Sequence, residues 1–434
     1  MYQFNKEEYM ERMRWFREAR LGMFIHFGLY AIPARGEWVR SSEKMPEEEY
    51  LPFFHQFNPK HFDAALWAKT AKAAGMRYLI LTAKHHDGFC LFDTATTDYK
   101  STNTPFGRDI VREVLDAARS EGLKVGLYYS LLDWHHPDYP HYGDRNHPMR
   151  SNPACSNEGR DFSRYIQYYQ NQVRELCSNY GKLDIFWFDY SYDDLRGEAW
   201  QATRLVDMVR TLQPGIILNN RLEVSGEGYG SLAEGNPTPY HGDFITPERM
   251  IPPEGILDAN GQELFWETCV TMNNSWGYCR DDRCYKSPEL IVRKLVESIS
   301  KGGNFLLNVG PDGNGAFPPE AMEILGVLGK WMATNAESIY GCGKSSLSKP
   351  EFGRYTQRGR TLYLHLFENA LGPLPLLGIG KEELQSATML HDFTQCPIST
   401  SWVHSDYPDI TFLDLGPDPN LPDSIDTVIK IQLR

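Results

Sequence analysis

Between about residue 60 and residue 335, a helical apolar stripe is repeatedly followed by a short β-rich run, which predicts parallel strands joined by crossover helices. In residues 108–129 the stripe is Ile110, Val111, Val114, Leu115 and Ala118; Gly122 stops it and the buried strand KVGLYYS follows. In residues 159–189, Ile166, Tyr169, Val173 and Leu176 precede Gly181 and the strand LDIFWFD. In residues 287–309, Ser287 caps a helix with Pro288 at its first position, Gly302 and Gly303 end it, and NFLLNV follows.

Polar and titratable groups gather at the downstream ends of these strands. GMFIHFG ends near His26, MRYLILTAKHH at His85 and His86, KVGLYYS at Tyr128, LDIFWFD at Asp189, GIILNNR at Asn219 and Arg221, and ELFWETC at Glu267. Such a set suits a (β/α)8-like barrel, whose strands bring their carboxyl ends to one functional face. A doubly wound sheet would need a glycine-rich phosphate loop after its first strand, and none is evident. After about residue 345 the pattern changes to short alternating runs, TLYLHLF, DITFLDL and TVIKIQL, which predict an antiparallel β-sandwich with one wet face. The expected division is a (β/α)8-like barrel over 1–344, with the functional face, and a β-sandwich over 345–434.

Composition narrows the class. The chain has 434 residues, 41% of them hydrophobic, and a net charge of -13. That charge argues against a nucleic-acid partner, because phosphate backbones are held by clustered Lys and Arg. No apolar run reaches the ~18 residues of a membrane span. The first twenty residues mix charges with apolar positions at helical spacing and lack the apolar core of a secretory signal. The expectation is a cytoplasmic chain, or a periplasmic or secreted one if a leader has been removed. The eight cysteines contain no CxxC pair and are expected to be reduced thiols.

Asp189 is an acid placed directly after the apolar run IFWF, a costly position unless the carboxylate is used or paired. In KHHDGF, His85 and His86 are adjacent on a predicted strand and should point to opposite sides, which disfavours a shared metal; hydrogen bonding of a polyhydroxylated ligand fits better. Phe24, Trp38, Tyr128, Trp134, Trp187 and Trp276 supply the flat apolar faces that a sugar site needs beside its directional donors and acceptors. Glycoside hydrolysis requires two carboxyl groups. Asp189 offers one, and the second is open among Glu223, Glu227, Glu234, Glu248, Glu254, Glu263 and Glu267.

An ordered series of segments now resembles glycoside hydrolase family 29, the α-L-fucosidases: GMFIHFGLYAIPARGEW, TAKHHDGFCLFDTATTDY, GLKVGLYYSLLDW, LDIFWFD, ILNNR, GDFITPE, WETCVTMNNSWGY and SKGGNFLLNVGPDGNG. The resemblance implies a barrel followed by a β-sandwich, a retaining mechanism without metal or other cofactor, and a fucosylated oligosaccharide or glycoconjugate as substrate. It also implies Asp189 as nucleophile, Glu248 as acid/base, and His26, Glu37, Trp38, His85, His86, Tyr128 and Arg221 as sugar contacts. Phe24 and Trp276 resemble the wall against the fucose methyl group. Tyr190 stands where the family often carries glycine. The residues alone leave two alternatives: a retaining glycosidase for another sugar, such as a galactose-configured one, and a non-catalytic sugar-binding protein.

Overall fold

The computed structural model describes residues 2–226, 228–418 and 420–434. Its parallel strands are β1 (Leu21–Ile25), β2 (Tyr78–Lys84), β3 (Lys124–Ser130), β4 (Ile185–Asp189), β5 (Ile217–Leu218), β6 (Glu267–Thr271) and β7 (Asn304–Val309). They pair in the order β5-β4-β3-β2-β1-β7-β6. Residues 243–249 close the gap between β5 and β6. Isolated parallel bridges join Asn219 to Phe244, Ile245 to Trp266 and Glu248 to Cys269. The Glu267 amide also donates to the Ile245 carbonyl at 2.8 Å, and the Arg249 amide to that of Cys269 at 2.9 Å. The expected (β/α)8-like ring therefore consists of regular strands plus one irregular eighth segment.

The predicted helices form where their stripes and caps lie. Helix Ile110–Ser120 buries Ile110, Val111, Val114, Leu115 and Ala118, and helix Phe162–Asn179 buries Ile166, Tyr169, Val173 and Leu176. Ser287 caps helix Pro288–Ser300 through the Leu290 amide. Among the described residues no α-helix separates β5 from β6. The first helix, Lys6–Ala19, is capped by Asn5 and buries Tyr9, Met13, Phe16 and Ala19. These pack into the barrel interior with Tyr78, Ile80 and Phe244, and the Asn304 side chain at the start of β7 donates to the Phe16 carbonyl at 2.9 Å. The helix thus fills the end of the barrel where the strands begin.

Two strand readings need correction. Glu267 opens β6 instead of ending it, so it sits inside the barrel at 0% exposure, bonded to the Tyr78 hydroxyl, away from the face where Asp189 ends β4. His85 and His86 lie beyond β2, in a turn, so strand alternation does not separate them.

The C-terminal unit contains β8 (Gly353–Arg358), β9 (Thr361–Leu366), β10 (Leu374–Leu376), β11 (Leu384–Met389), β12 (Thr411–Leu413) and β13 (Thr427–Leu433). An antiparallel sheet runs β11-β13-β9-β8, and β10 pairs with β12 in a small second sheet. Leu362, Leu364, Leu366, Ile429 and Ile431 share a core with Leu374, Leu376 and Leu413. The expected wet face of β9 is instead covered: Tyr363 and Val428 join the barrel's outer core, and His365 pairs with Asp426, both at 0% side-chain exposure.

Candidate active site

A cavity of about 420 Å³ opens at the carboxyl ends of the strands. Strand β4 delivers Asp189 to it, and the eighth segment delivers Glu248. One guanidinium joins the two carboxylates. Arg221 Nη1 donates to Asp189 Oδ1 at 3.0 Å and Nη2 to Glu248 Oε2 at 3.1 Å, while Nε is held by Thr246 Oγ1 at 2.9 Å. The Tyr128 hydroxyl donates to Asp189 Oδ2 at 2.8 Å, and Trp276 Nε1 to Glu248 Oε1 at 3.2 Å. The environments differ: the Asp189 side chain is 11% exposed and that of Glu248 41%. Burial lifts Asp189 to about 6, with Arg221 opposing the rise and Glu248 adding to it. Arg221 is expected to keep Asp189 ionised, and at neutral pH it remains so, although desolvation outweighs the guanidinium.

Three imidazoles stand beside these acids, all pushed toward the neutral form chiefly by burial, His26 to about 3. His26 Nδ1 lies 2.7 Å from Asn308 Oδ1, and the Asn308 amide nitrogen donates to the Trp276 carbonyl at 2.7 Å. The amide orientation makes His26 Nδ1 the donor and leaves Nε2 an acceptor. His86 Nδ1 lies 2.6 Å from Ser130 Oγ, whose proton goes to the Leu132 carbonyl at 3.0 Å, so His86 follows the same logic. His85 Nδ1 is buried without a hydrogen-bond partner among the described residues. The His85 and His86 rings are 4.0 Å apart, and both line the cavity. Neutral acceptors of this kind suit the hydroxyl protons of a sugar. Among the described residues, no group of three or more His, Cys, Asp or Glu is placed to hold a metal ion.

Phe24 lies between Trp187 at 5.4 Å, Tyr128 at 5.8 Å and Trp276 at 6.1 Å, giving an apolar wall. Trp38 faces it near His86. Of the catalytic and sugar-contact residues that the family resemblance implies, Glu37 alone does not line the cavity. Its buried carboxylate takes the backbone amides of Trp276 at 3.1 Å and Gly277 at 2.8 Å, so it holds the loop that carries the tryptophan. Trp134 is likewise withdrawn, donating to Asp144 at 3.1 Å.

The second-acid alternatives separate by position. Glu223 accepts from Ser231 and Thr238, Glu267 is in the barrel interior, and Glu234, Glu254 and Glu263 are exposed away from Asp189. Glu227 lies outside the described residues. Only Glu248, among those described, shares the cavity with Asp189.

Sequence reading missed the wall residues Arg145, Asn146, Tyr192 and Ser225, and it singled out Tyr190 only as standing where the family often carries glycine. The first two come from the His-rich loop after β3, which is anchored because Asp144 accepts from Trp134, Tyr139 and Tyr192. Tyr190 has φ +82°, a region that favours glycine, and its ring packs 4.7 Å from His86 and 5.6 Å from Trp38. Its position after Asp189 was the available signal. A buried polar anchor was missed as well. Asp243 takes Arg12 at 2.7 Å, Arg210 at 3.0 Å and the Leu218 amide at 2.8 Å, fixing the start of the segment that ends in Glu248.

Residues 1–337 match the family model described as alpha-L-fucosidase. The chain is similar to alpha-L-fucosidase isoenzyme 1 from Paenibacillus thiaminolyticus, at 52% identity and a TM-score of 0.95 over 98% of this chain and 100% of that one. It is also similar to a Bacteroides thetaiotaomicron GH29 alpha-L-fucosidase trapped as a covalent intermediate with 2-fluoro-fucosyl fluoride in a Glu-to-Gln variant; identity is 31% and the TM-score 0.82 over 98% and 96% of the two chains. Tissue alpha-L-fucosidase of Rattus norvegicus is 31% identical over 75% of this chain and 69% of its own length. The chain belongs to the GH29 alpha-L-fucosidase family.

Proposed function

We infer that this protein is a retaining α-L-fucosidase that releases terminal fucose from oligosaccharides or glycoconjugates by double displacement, with Asp189 as nucleophile and Glu248 as acid/base. The observation that carries the reading is the single Arg221 guanidinium that holds both carboxylates at one apolar-walled cavity. In the first step an Asp189 oxygen bonds to the anomeric carbon, the bond to the aglycone oxygen breaks, and the Glu248 proton passes to that oxygen. In the second, Glu248 takes a proton from water, whose oxygen displaces Asp189 from the anomeric carbon. Arg221 and Tyr128 keep the nucleophile oriented and ionised. The greater exposure of Glu248 lets it exchange protons with solvent between steps. His26 and His86 offer acceptor nitrogens to sugar hydroxyls, and Phe24 and Trp276 present an apolar surface suited to the methyl group of a 6-deoxy sugar.

The test compares leaving groups. Glu248→Ala should retain most of kcat/KM on an aryl fucoside with a good leaving group and lose about 10²-fold or more of kcat/KM on a poor one, while kcat falls on both because the second step has lost its base; equal losses of kcat/KM would remove Glu248 from the acid role. Asp189→Gly should be inactive and should recover turnover with azide, giving a fucosyl azide of inverted configuration. Full activity without azide would exclude Asp189 as nucleophile.

A further inference from the structure

The opposite end of the barrel carries a second and larger hollow, of about 860 Å³. It lies where the chain enters β1, β2 and β3 and meets residues 340–344 and the end of β8. Six cations converge on it, Arg17, Arg20, Arg77, Lys124, Lys344 and Arg358, against two acids, Glu18 and Glu263. This local excess of positive charge sits in a chain whose net charge is -13. Among the described residues only Lys124 of the six has a carboxylate at ion-pair distance, Asp184 at 3.0 Å.

Arg20 is 4% exposed, and its Nη1 is spent on the carbonyls of Gly302 at 2.7 Å and Gly303 at 3.2 Å. Its buried Nε has no acceptor among the described residues. Burial lowers this guanidinium to about 10; nearby Arg17 adds to the fall and Glu263 opposes it. Two further guanidiniums are held in place: Arg77 lies 4.0 Å over the Tyr340 ring, and Arg358 Nη1 donates to the Tyr340 carbonyl at 3.3 Å.

We propose that this hollow binds a small molecule bearing phosphate or sulfate groups, with Arg20 at its base and Arg77 and Arg358 as its jaws. Four of the six cations are arginines, whose planar forks match tetrahedral oxyanions in bidentate fashion. Among the described residues the buried Arg20 has carbonyl acceptors but no carboxylate at ion-pair distance, and an anion in the hollow supplies that counter-charge. The volume lies within the range of small-molecule sites. Because Arg358 belongs to the C-terminal sheet and the other two arginines to the barrel, the bound anion joins the two units.

Calorimetric titration of the full chain with inorganic phosphate, pyrophosphate and sulfate at constant ionic strength tests this. Saturable binding of at least one anion and an upward Tm shift are expected, since a ligand of the folded state stabilises by mass action. The ranking of the three separates phosphate from sulfate chemistry. Arg77→Gln with Arg358→Gln should weaken Kd at least tenfold. Lys69→Gln with Lys72→Gln, an equal loss of charge from an exposed helical surface, should leave it unchanged. If the first pair fails to fold by circular dichroism, the exposed Arg17→Gln should still weaken Kd at least threefold. No saturable heat with any anion, or equal weakening by the two double variants, overturns the proposal.

Discussion

At the scale of single residues, the site is an arrangement of buried polar groups whose burial sets their protonation. With Asp189 as the proposed nucleophile, active as the carboxylate, its value near 6 places the acidic limb of kcat/KM near pH 6. Tyr128 donates to that carboxylate, so Tyr128→Phe should move the limb to higher pH by up to about one unit, given ~1 to 1.5 kcal/mol for such a bond and ~1.4 kcal/mol per unit. A pH profile measures this, and an unmoved limb contradicts the role given to Tyr128. Asp189 and Arg221 were legible because polar groups placed after buried apolar runs are costly. Arg145, Asn146 and Tyr192 were not legible, since irregular loops carry no period from which direction can be read. Glu37 shows that an acid near a site can serve backbone amides as well as a ligand.

At the scale of elements, the regular strands and their helices were readable because buried periodicity and caps specify them. The eighth strand was not. Residues 243–249 are held by isolated bridges and by the Asp243 carboxylate, a tertiary arrangement with no local pattern. Asp243→Asn keeps the shape but leaves Arg12 and Arg210 without their counter-charge, and should cost about 3–5 kcal/mol by urea unfolding. Because Glu248 follows on the same segment, kcat should fall as well. A loss under about 1 kcal/mol would mean that the anchor is dispensable. The turn after β2 teaches the complementary lesson: alternation predicts side-chain direction only while the strand lasts, and β2 ends at Lys84.

At the scale of the whole molecule, one buried group couples stability to pH. Burial raises Glu267 to about 8, with the Tyr78 hydroxyl pulling partly against it, well above an unfolded value near 4.3. Between those values the folded chain keeps a proton that the unfolded chain has released, so stability is lost as pH rises through the window. The buried neutral His26, His85 and His86 act with the opposite sign below about pH 6.5, so the contribution of Glu267 is read from the difference: the wild-type Tm should fall relative to that of Glu267→Gln from about pH 5 to about pH 8. An equal slope in wild type and variant would refute this. The C-terminal unit was recognisable from its alternation, while the covering of β9 on both faces was not, because contact with the barrel is invisible to a pattern read along one strand. The stretch between β5 and β6, which among the described residues holds no α-helix, leaves its own mark. Asp189, the proposed nucleophile, is tied to the barrel's repeating frame, whereas Glu248, the proposed acid, is carried by a span whose length no helical crossover dictates.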